Sequence, residues 1–234
     1  MRIGRLPALI SLFLFGASLW GQISPNAPVN NFRFPRFGEN GYTQWVLQGE
    51  KGIYDSEEQI RVEGMALRVY SGDERMVKEL TLDSPQATIR LKENRAFSKD
   101  SIRITGANFT ISGTGWEWIG ETKEIVVEAD TVVEFTQSIS GGLPGEKPGA
   151  GLKRTVIKSD RLVLQTTETE YNFEFSGSVL AVSGDLNLKS NVLIALADVP
   201  KGGSDAPEID PGKLDSVRQI IAREDVEMIQ SGRI

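Results

Sequence analysis

The sequence predicts an all-β fold, and three observations support this class. Apolar and polar residues alternate in short runs along most of the chain, which is the period-2 pattern of strands with one buried face. Turn-forming residues separate these runs at intervals of roughly ten residues. Helical periodicity is scarce. These features predict antiparallel strands arranged as a meander, a sandwich or a jelly roll.

The alternation places the individual strands. Its clearest runs occupy residues 67–69, 88–91, 102–104, 109–111, 125–127, 173–175, 186–188 and 192–194. Turns are expected where Ser, Gly, Asp, Asn, Glu and Thr cluster, at residues 71–73, 92–94, 112–115, 120–122 and 183–185. Residues 215–228 carry an i, i+3, i+4 apolar spacing, so their pattern alone fits either a helix or a strand.

The N-terminus has the pattern of an export signal. Arg2 and Arg5 precede an apolar stretch over residues 6–20. This stretch holds 15 residues, fewer than the about 20 that a membrane-spanning helix needs. We therefore predict that residues 1–21 are a signal peptide, with an uncleaved membrane anchor as the alternative. The rest of the chain is then expected to be exported, and residues 6–20 would tether it to a membrane if the segment is retained.

Composition narrows the function. The chain has 26 Lys and Arg, 32 Asp and Glu, no His and no Cys. The missing residue types exclude imidazole- and thiol-based catalysis, zinc and iron–sulfur sites with such ligands, and disulfides. Without Arg2 and Arg5 the chain has 24 basic and 32 acidic residues, a net charge of −8, which disfavours nucleic acid and anionic head groups as ligands. We expect no metal, no cofactor and no catalytic residue.

An enzyme is nevertheless one alternative. A glycosidase needs two carboxyl groups across a cleft, and the pairs Asp55/Glu57 and Glu117/Glu121 supply such groups. Both pairs lie in turn-like segments that are rich in charge, which favours solvated turns over catalysis.

Two Gly- and Pro-rich stretches interrupt the strand pattern. Residues 141–151 hold five glycines and two prolines and predict a linker between a first unit, 22–140, and a second unit, 152–234. Residues 200–212 predict a long loop inside the second unit.

A short repeat adds to this organisation. The segments around Gly64, Gly106 and Gly177 share a hydrophobic-x-Gly pattern, with degenerate copies at residues 127–129 and 222–226. A glycine inside a strand predicts a bend or a bulge. The recurrence of this pattern indicates stacked β layers, since each strand buries its apolar face only against its neighbours.

These residues resemble a known family. The run over residues 175–192 resembles the repeat of lipopolysaccharide-transport proteins of the OstA/LptA class. Residues 220–230 resemble the closing pattern of that class, and on this ground we predict that residues 215–228 are mostly strand. Ser178 stands where that pattern has Asn, and Glu224-Asp225 stand where it has Gly-Asn.

The first unit resembles the related anchor component LptC. The resemblance rests on an ordered set of short motifs at residues 34–37, 45–49, 60–69, 84–87 and 113–118. It implies a twisted, open-ended antiparallel jelly roll, with OstA-like repeats in two consecutive units, whose interior holds lipid acyl chains. The implied ligand is therefore lipopolysaccharide, bound by the acyl chains of its lipid A.

An acyl-chain groove needs a continuous apolar lining, which alternating strands supply. The candidate lining residues are Leu67, Val69, Ile89, Ile102, Ile104, Phe109, Ile111, Trp116, Trp118, Phe135, Phe173, Phe175, Val179, Leu188 and Ile194. Trp116 and Trp118 are the strongest candidates for contact with lipid or a partner, because their i, i+2 spacing puts two bulky indoles on one strand face. For any single residue, a role in a packed core is the alternative.

The resemblance also implies partners. The free edges expected near residues 32–37 and at the strand through Met228 predict stacking by strand addition. The expected partners are the inner-membrane ABC transporter, bridge proteins and further copies of the chain arranged head to tail. Because the sequence contains no phosphate-binding GxxxxGK[ST] motif, the energy for transport is expected from a separate ATPase. A structural or adhesive β scaffold of the envelope, without lipid binding, is the alternative function.

Overall fold

The computed structural model describes residues 28–136, 154–184, 186–199 and 217–230. The predicted signal peptide, the linker at 141–151 and the loop at 200–212 lie outside these residues. The described residues form thirteen β-strands and no helix.

The strands follow one another along the chain with short connections inside each described range. They are β1 Val29–Phe37, β2 Thr43–Tyr54, β3 Gln59–Tyr70, β4 Lys78–Arg90, β5 Arg95–Thr105, β6 Phe109–Ile119, β7 Glu124–Phe135, β8 Thr155–Ser159, β9 Arg161–Thr166, β10 Glu170–Ser183, β11 Leu186–Asp198, β12 Val217–Arg223 and β13 Glu227–Gln230.

All thirteen strands belong to one antiparallel sheet, in which neighbours in sequence are mostly neighbours in space. Strands β8 and β9 share one position between β7 and β10, and β12 and β13 share one position beside β11. The sheet is not a closed barrel, since β1 at one end and β12 with β13 at the other have no further neighbour among the described strands. The predicted all-β, open-ended antiparallel fold is confirmed. The prediction that residues 215–228 are mostly strand is confirmed for the described part, residues 217–228.

The long strands change direction near their middles. The ladder is irregular at these points, for example between Ser176 and Val179 of β10, and Gly64, Gly115 and Gly177 adopt positive φ angles of 60°, 67° and 74° there. Glycine is suited to this left-handed region because it has no Cβ to clash with the backbone. The predicted bends at Gly64 and Gly177 are confirmed.

Two predictions about glycine-containing segments are wrong. Gly106 is not in a strand bend but in the connection between β5 and β6, where its N–H donates to the carbonyl oxygen of Phe109 (3.0 Å). Residues 112–115 are not a turn between strands. They bend a single strand, β6, whose pairing with β7 continues through Ser112 and Thr114.

Non-glycine residues take the same conformation at other bends. Asp130, Ser178, Glu224 and Asp225 have φ angles of 51°, 47°, 63° and 53°. The positions where the sequence departs from the OstA-like pattern are therefore left-handed all the same. Because an L-residue pays roughly 1–2 kcal/mol in this region, the surrounding sheet must stabilise these bends.

The line of bends divides the sheet into two half-sheets. Half-sheet A contains residues 43–48, 65–70, 78–84, 101–105, 109–113, 131–135, 155–159, 179–183, 186–190 and 227–230. Half-sheet B contains residues 51–54, 59–63, 86–90, 95–98, 114–119, 124–129, 161–166, 170–176, 192–198 and 217–223.

The half-sheets pack face to face. Phe109 in half-sheet A meets Tyr171 and Phe173 in half-sheet B, with ring centroids 5.1 Å and 4.9 Å apart. Trp45 in A and Trp118 in B form an edge-to-face pair at 6.0 Å. The molecule is thus a flattened roll whose apolar interior lies between two halves of one sheet.

Candidate functional site

The interior of the roll is a continuous apolar layer, and it is the candidate site. Its buried side chains run from Trp45 near the β1 edge to Ala197 near the β12 edge. Near the middle, Phe109, Phe135 and Phe173 form a cluster with centroid distances of 4.9–6.4 Å. Offset and edge-to-face contacts of this kind stabilise aromatic pairs beyond the apolar area that they bury.

The structure brings together all the predicted lining residues except Ile194. They are buried on the inner faces of the two half-sheets. Many other buried residues were not among the candidates: Trp45, Leu47, Val62, Met65, Leu82, Val127, Ile157, Leu162, Leu164, Tyr171, Leu193 and Ala195 are examples. Alternation was the signal for most of these, since they occupy every second position of their half-strands.

Ile194 lies on the outer face, and Leu193 takes its place inside. The inward positions of β11 are Leu188 and Ser190 before the bend, and Leu193 and Ala195 after it. One additional residue at the bend therefore exchanges the two faces of the strand. A prediction that carries strict alternation through the bend selects the wrong residue.

The two predicted tryptophans are both inside. Trp116 is 1% exposed, and its indole N–H donates to the hydroxyl oxygen of Ser84 (3.2 Å). Ser84 in turn lies 2.8 Å from the carbonyl oxygen of Ser101, in a stretch where β4 and β5 form no ladder pairs. Trp116 and Ser84 therefore stabilise the wall where backbone pairing is interrupted.

An outer depression of about 390 Å³ lies at the same interruption. Arg61 and Glu117 are among its lining residues, and both are paired: Arg61 with Asp55 at 2.8 Å, and Glu117 with Arg95. The hydrogen bond from Arg61 lowers the pKa of Asp55. A glycosidase acid needs a raised pKa instead, so Asp55 is not suited to the role of the acid.

Opposite the bends, the hairpins of the two half-sheets meet along a line that we call the seam. Among the described residues, three polar contacts cross it. The Trp45 indole N–H donates to Asn94 Oδ1 (2.8 Å), an Arg36 guanidinium N–H donates to the Leu91 carbonyl oxygen (3.3 Å), and Lys123 Nζ lies 3.2 Å from Glu79 Oε2. These contacts hold the interior closed on its solvent side.

The two ends of the roll carry apolar residues. At the β1 end Phe32 lies directly over Gly49 and Gly52, where an added Cβ would come within 2.6 Å and 2.8 Å of its ring. At the other end, Met228 of β13 pairs with the inward-facing Leu188 but is 59% exposed. Both predicted edges therefore lack a further neighbour among the described strands, and the inner face of the sheet continues to the β13 edge.

Comparison with known families decides the identity of the first part of the chain. Residues 24–131 match the model of the family described as lipopolysaccharide-assembly, LptC-related. Residues 24–131 are an LptC-related domain. The predicted resemblance to LptC is confirmed, and lipopolysaccharide assembly is the context of the family. The comparison with curated proteins found no match to the chain.

The LptC-related domain spans β1 to β6 and most of β7. It contains Trp116, Trp118, the seam contacts of Trp45 and Asn94, and the Phe32 end. The remaining strands, β8 to β13, continue the same sheet, since β7 pairs directly with β8 and β9. The LptC-related family is generally non-catalytic and points to the cell envelope. Within residues 28–136, 154–184, 186–199 and 217–230, no helix is long and apolar enough to span a membrane.

Proposed function

We propose that this protein is a periplasmic transport component that binds lipopolysaccharide and passes its acyl chains through the interior of the roll toward the outer membrane. The observation that carries the proposal is the unbroken apolar interior between two free sheet edges. The LptC-related domain supports lipopolysaccharide as the ligand.

Burial of acyl chains supplies the binding energy in this proposal. Each CH₂ group that leaves water contributes about 0.8 kcal/mol. The interior is already filled by side chains such as Phe173 and Phe175, both 0% exposed, so acyl chains can enter only if the half-sheets separate or these side chains move. The seam is the side on which separation breaks the fewest backbone hydrogen bonds, because the bends keep the half-sheets covalently joined.

The polar part of the lipid stays outside in this proposal. The outer face carries many ion pairs between neighbouring strands, such as Lys51–Glu63 and Lys189–Glu227. With a net charge of −8 after loss of the predicted signal, the surface does not attract an anionic head group. Affinity for the acyl chains and weak attraction for the head group suit a carrier that must release its lipid.

The free edges are the proposed contact points for partners. An edge strand offers unpaired backbone groups to a strand of another protein, and Met228 and Ile229 add exposed apolar side chains to β13. We propose that the inner-membrane transporter, bridge proteins and other copies of the chain stack on these edges. The division into units 22–140 and 152–234, the OstA-like character of the second unit and the signal or anchor at residues 1–21 belong to the same proposal.

Site-specific photocrosslinking in intact envelopes tests lipid contact. A photoreactive phenylalanine analogue replaces Phe175, which is buried inside, and in the control it replaces Ile194 on the outer face. We expect lipopolysaccharide adducts from position 175 and none from position 194. Equal labelling, or no lipid adduct from position 175, would favour the envelope scaffold that binds no lipid.

A second experiment tests stacking. The same analogue at Met228 or Phe37 is expected to crosslink to another protein of the envelope, and the Met228→Lys/Ile229→Lys variant is expected to lose association in sedimentation experiments. A strictly monomeric chain that forms no protein crosslinks from either edge contradicts the stacking proposal.

A further inference from the structure

Four buried hydroxyl groups on the inner face, those of Thr131, Thr166, Tyr171 and Ser190, lack hydrogen-bond partners among the described residues, and two of them are neighbours. These neighbours are Tyr171, which is 2% exposed, and Thr166, which is 4% exposed. The two residues are register partners on β10 and β9, and both occupy inward positions. A buried polar group without a partner is costly, so native structures normally provide one.

These hydroxyls lie at the seam, beside an ion pair. The Thr166 N–H donates to the carbonyl oxygen of Lys123 (3.1 Å), and Lys123 reaches across the seam to Glu79 (3.2 Å). Burial and, to a lesser extent, the Glu79 carboxylate raise the pKa of Tyr171. Its phenol therefore keeps its proton and remains a hydrogen-bond donor at any physiological pH.

The surroundings of the two hydroxyls change from apolar to polar over a short distance. On the inner side the Tyr171 ring packs against Phe109 and Phe173, with centroids 5.1 Å and 6.3 Å away. On the outer side the Lys123 side chain is 35% exposed. An acyl lipid has the same sequence of groups: a hydrocarbon chain, then an ester or amide carbonyl that accepts hydrogen bonds, then a charged head group in water.

We propose that Tyr171 and Thr166 form a subsite for the ester or amide carbonyl by which an acyl chain joins its head group. The inference rests on the proposed lipid-carrying function. It adds to that function a fixed position for the linkage, and so defines how far the acyl chain enters the interior. The Tyr171 hydroxyl donates to the carbonyl oxygen, Thr166 supplies a second donor, and the Glu79–Lys123 pair marks the border at which the head group leaves the interior. The subsite thus recognises the linkage and not the length of the chain.

The test compares two lipids that differ only in this carbonyl. Myristoyl lysophosphatidylcholine and its tetradecyl ether analogue have equal chains and head groups, and the ether has no carbonyl. Binding to the full chain is followed by the fluorescence of the interior tryptophans. One neutral hydrogen bond corresponds to about a two- to tenfold change in affinity. We expect the native chain to bind the ester about fivefold more tightly than the ether.

The Tyr171→Phe variant removes the hydroxyl and keeps the ring packing. We expect it to lose the preference for the ester while its affinity for the ether is unchanged. Because it also removes an unpartnered buried group, its melting temperature should rise by about 2–4 °C. Thr166→Val is the second variant, with a smaller loss of preference, and Tyr54→Phe, at a half-exposed tyrosine on β2, is the control that should change nothing.

The outcomes separate the subsite from the function. Equal affinities for ester and ether, a preference that survives in Tyr171→Phe, or an equal loss of both lipids in that variant overturns the subsite and leaves lipid carriage standing. If the native chain binds neither lipid, both the proposed function and the subsite fail.

Discussion

The indole N–H of Trp45 donates to the side-chain oxygen of Asn94 across the seam, at 2.8 Å. Trp45 belongs to half-sheet A and Asn94 to the β4–β5 turn of half-sheet B, so one hydrogen bond joins parts of the roll that are 49 positions apart in sequence. Asn94 also has a φ angle of 54°, a conformation that asparagine tolerates better than most residues.

The first prediction concerns this contact. Asn94→Gly removes the acceptor without adding backbone strain, and it leaves the buried Trp45 N–H without its partner. We expect a loss of about 1–3 kcal/mol in the free energy of unfolding, measured by urea denaturation. Asn94→Asp keeps an acceptor at the same place and should lose less. Equal stability of Asn94→Gly and the native chain would show that the seam contact contributes nothing.

The second prediction separates backbone strain from crowding at the bends. An added Cβ at Gly177 would lie 2.4 Å from Asp160 Oδ2, whereas Gly41 has a similar φ angle of 80° and nothing within 4 Å. Gly41→Ala should therefore cost about 1–2 kcal/mol from the left-handed conformation alone. Gly177→Ala should cost clearly more in the same denaturation assay. Similar losses for both variants would contradict the close packing of Asp160 against the bend.

The third prediction concerns the ion pair at the seam. The Glu79 side chain is 6% exposed and that of Lys123 is 35% exposed, so solvent weakens the pair only in part. Lys123→Met leaves a buried carboxylate without its cation, and we expect a loss of about 1–3 kcal/mol. Glu79→Gln should lose less, because it removes the buried charge itself.

The double variant Glu79→Gln/Lys123→Met provides the control for that series. It should be more stable than Lys123→Met alone, which a thermodynamic cycle from denaturation curves would show. Additive losses in the double variant would mean that the two side chains do not interact.

The fourth prediction concerns acid titration in the turn between β3 and β4. Hydrogen bonds from Arg75 and Ser71 lower the pKa of Asp73 from 3.8 to about 2. A carboxyl whose pKa is lower in the folded state contributes stability above its unfolded pKa, and this contribution is lost as the pH falls from about 4 to 2. An NMR titration of the Asp73 carboxyl carbon should give the low value, and Arg75→Gln should move it back toward 3.8. A native pKa near 3.8 would show that the turn hydrogen bonds do not form in solution.

Much of the fold follows from local patterns. Alternation places most of the strands, and the turns at residues 71–73, 92–94 and 120–122 lie in hairpin connections as expected. For residues 215–228 the prediction of a strand depends on the family resemblance, because the apolar spacing fits a helix equally well. Its surroundings decide the outcome: Ala195 and Leu193 of β11 accept Ile220 and Ala222 as register partners, so the segment buries its apolar side only as a strand.

The candidate site was predictable in outline and not in detail. Alternation alone cannot show where a strand bends, so it cannot show where the inner and outer faces exchange. For this reason it assigns Ile194 to the inner face, whereas Leu193 lies there. The seam was not predictable at all. Trp45 contacts Asn94, and Glu79 contacts Lys123, only because hairpins from opposite half-sheets face each other. No local sequence pattern encodes that approach.

The stacked strands also fix a length. The path through the sheet has eleven strand positions, and neighbouring strands lie about 4.8 Å apart, so the roll measures about 50 Å from the β1 edge to the β12–β13 edge. Backbone hydrogen bonds set this spacing, and substitutions of side chains leave it unchanged. A protein built in this way changes its length only in discrete steps, by about 10 Å for each added hairpin.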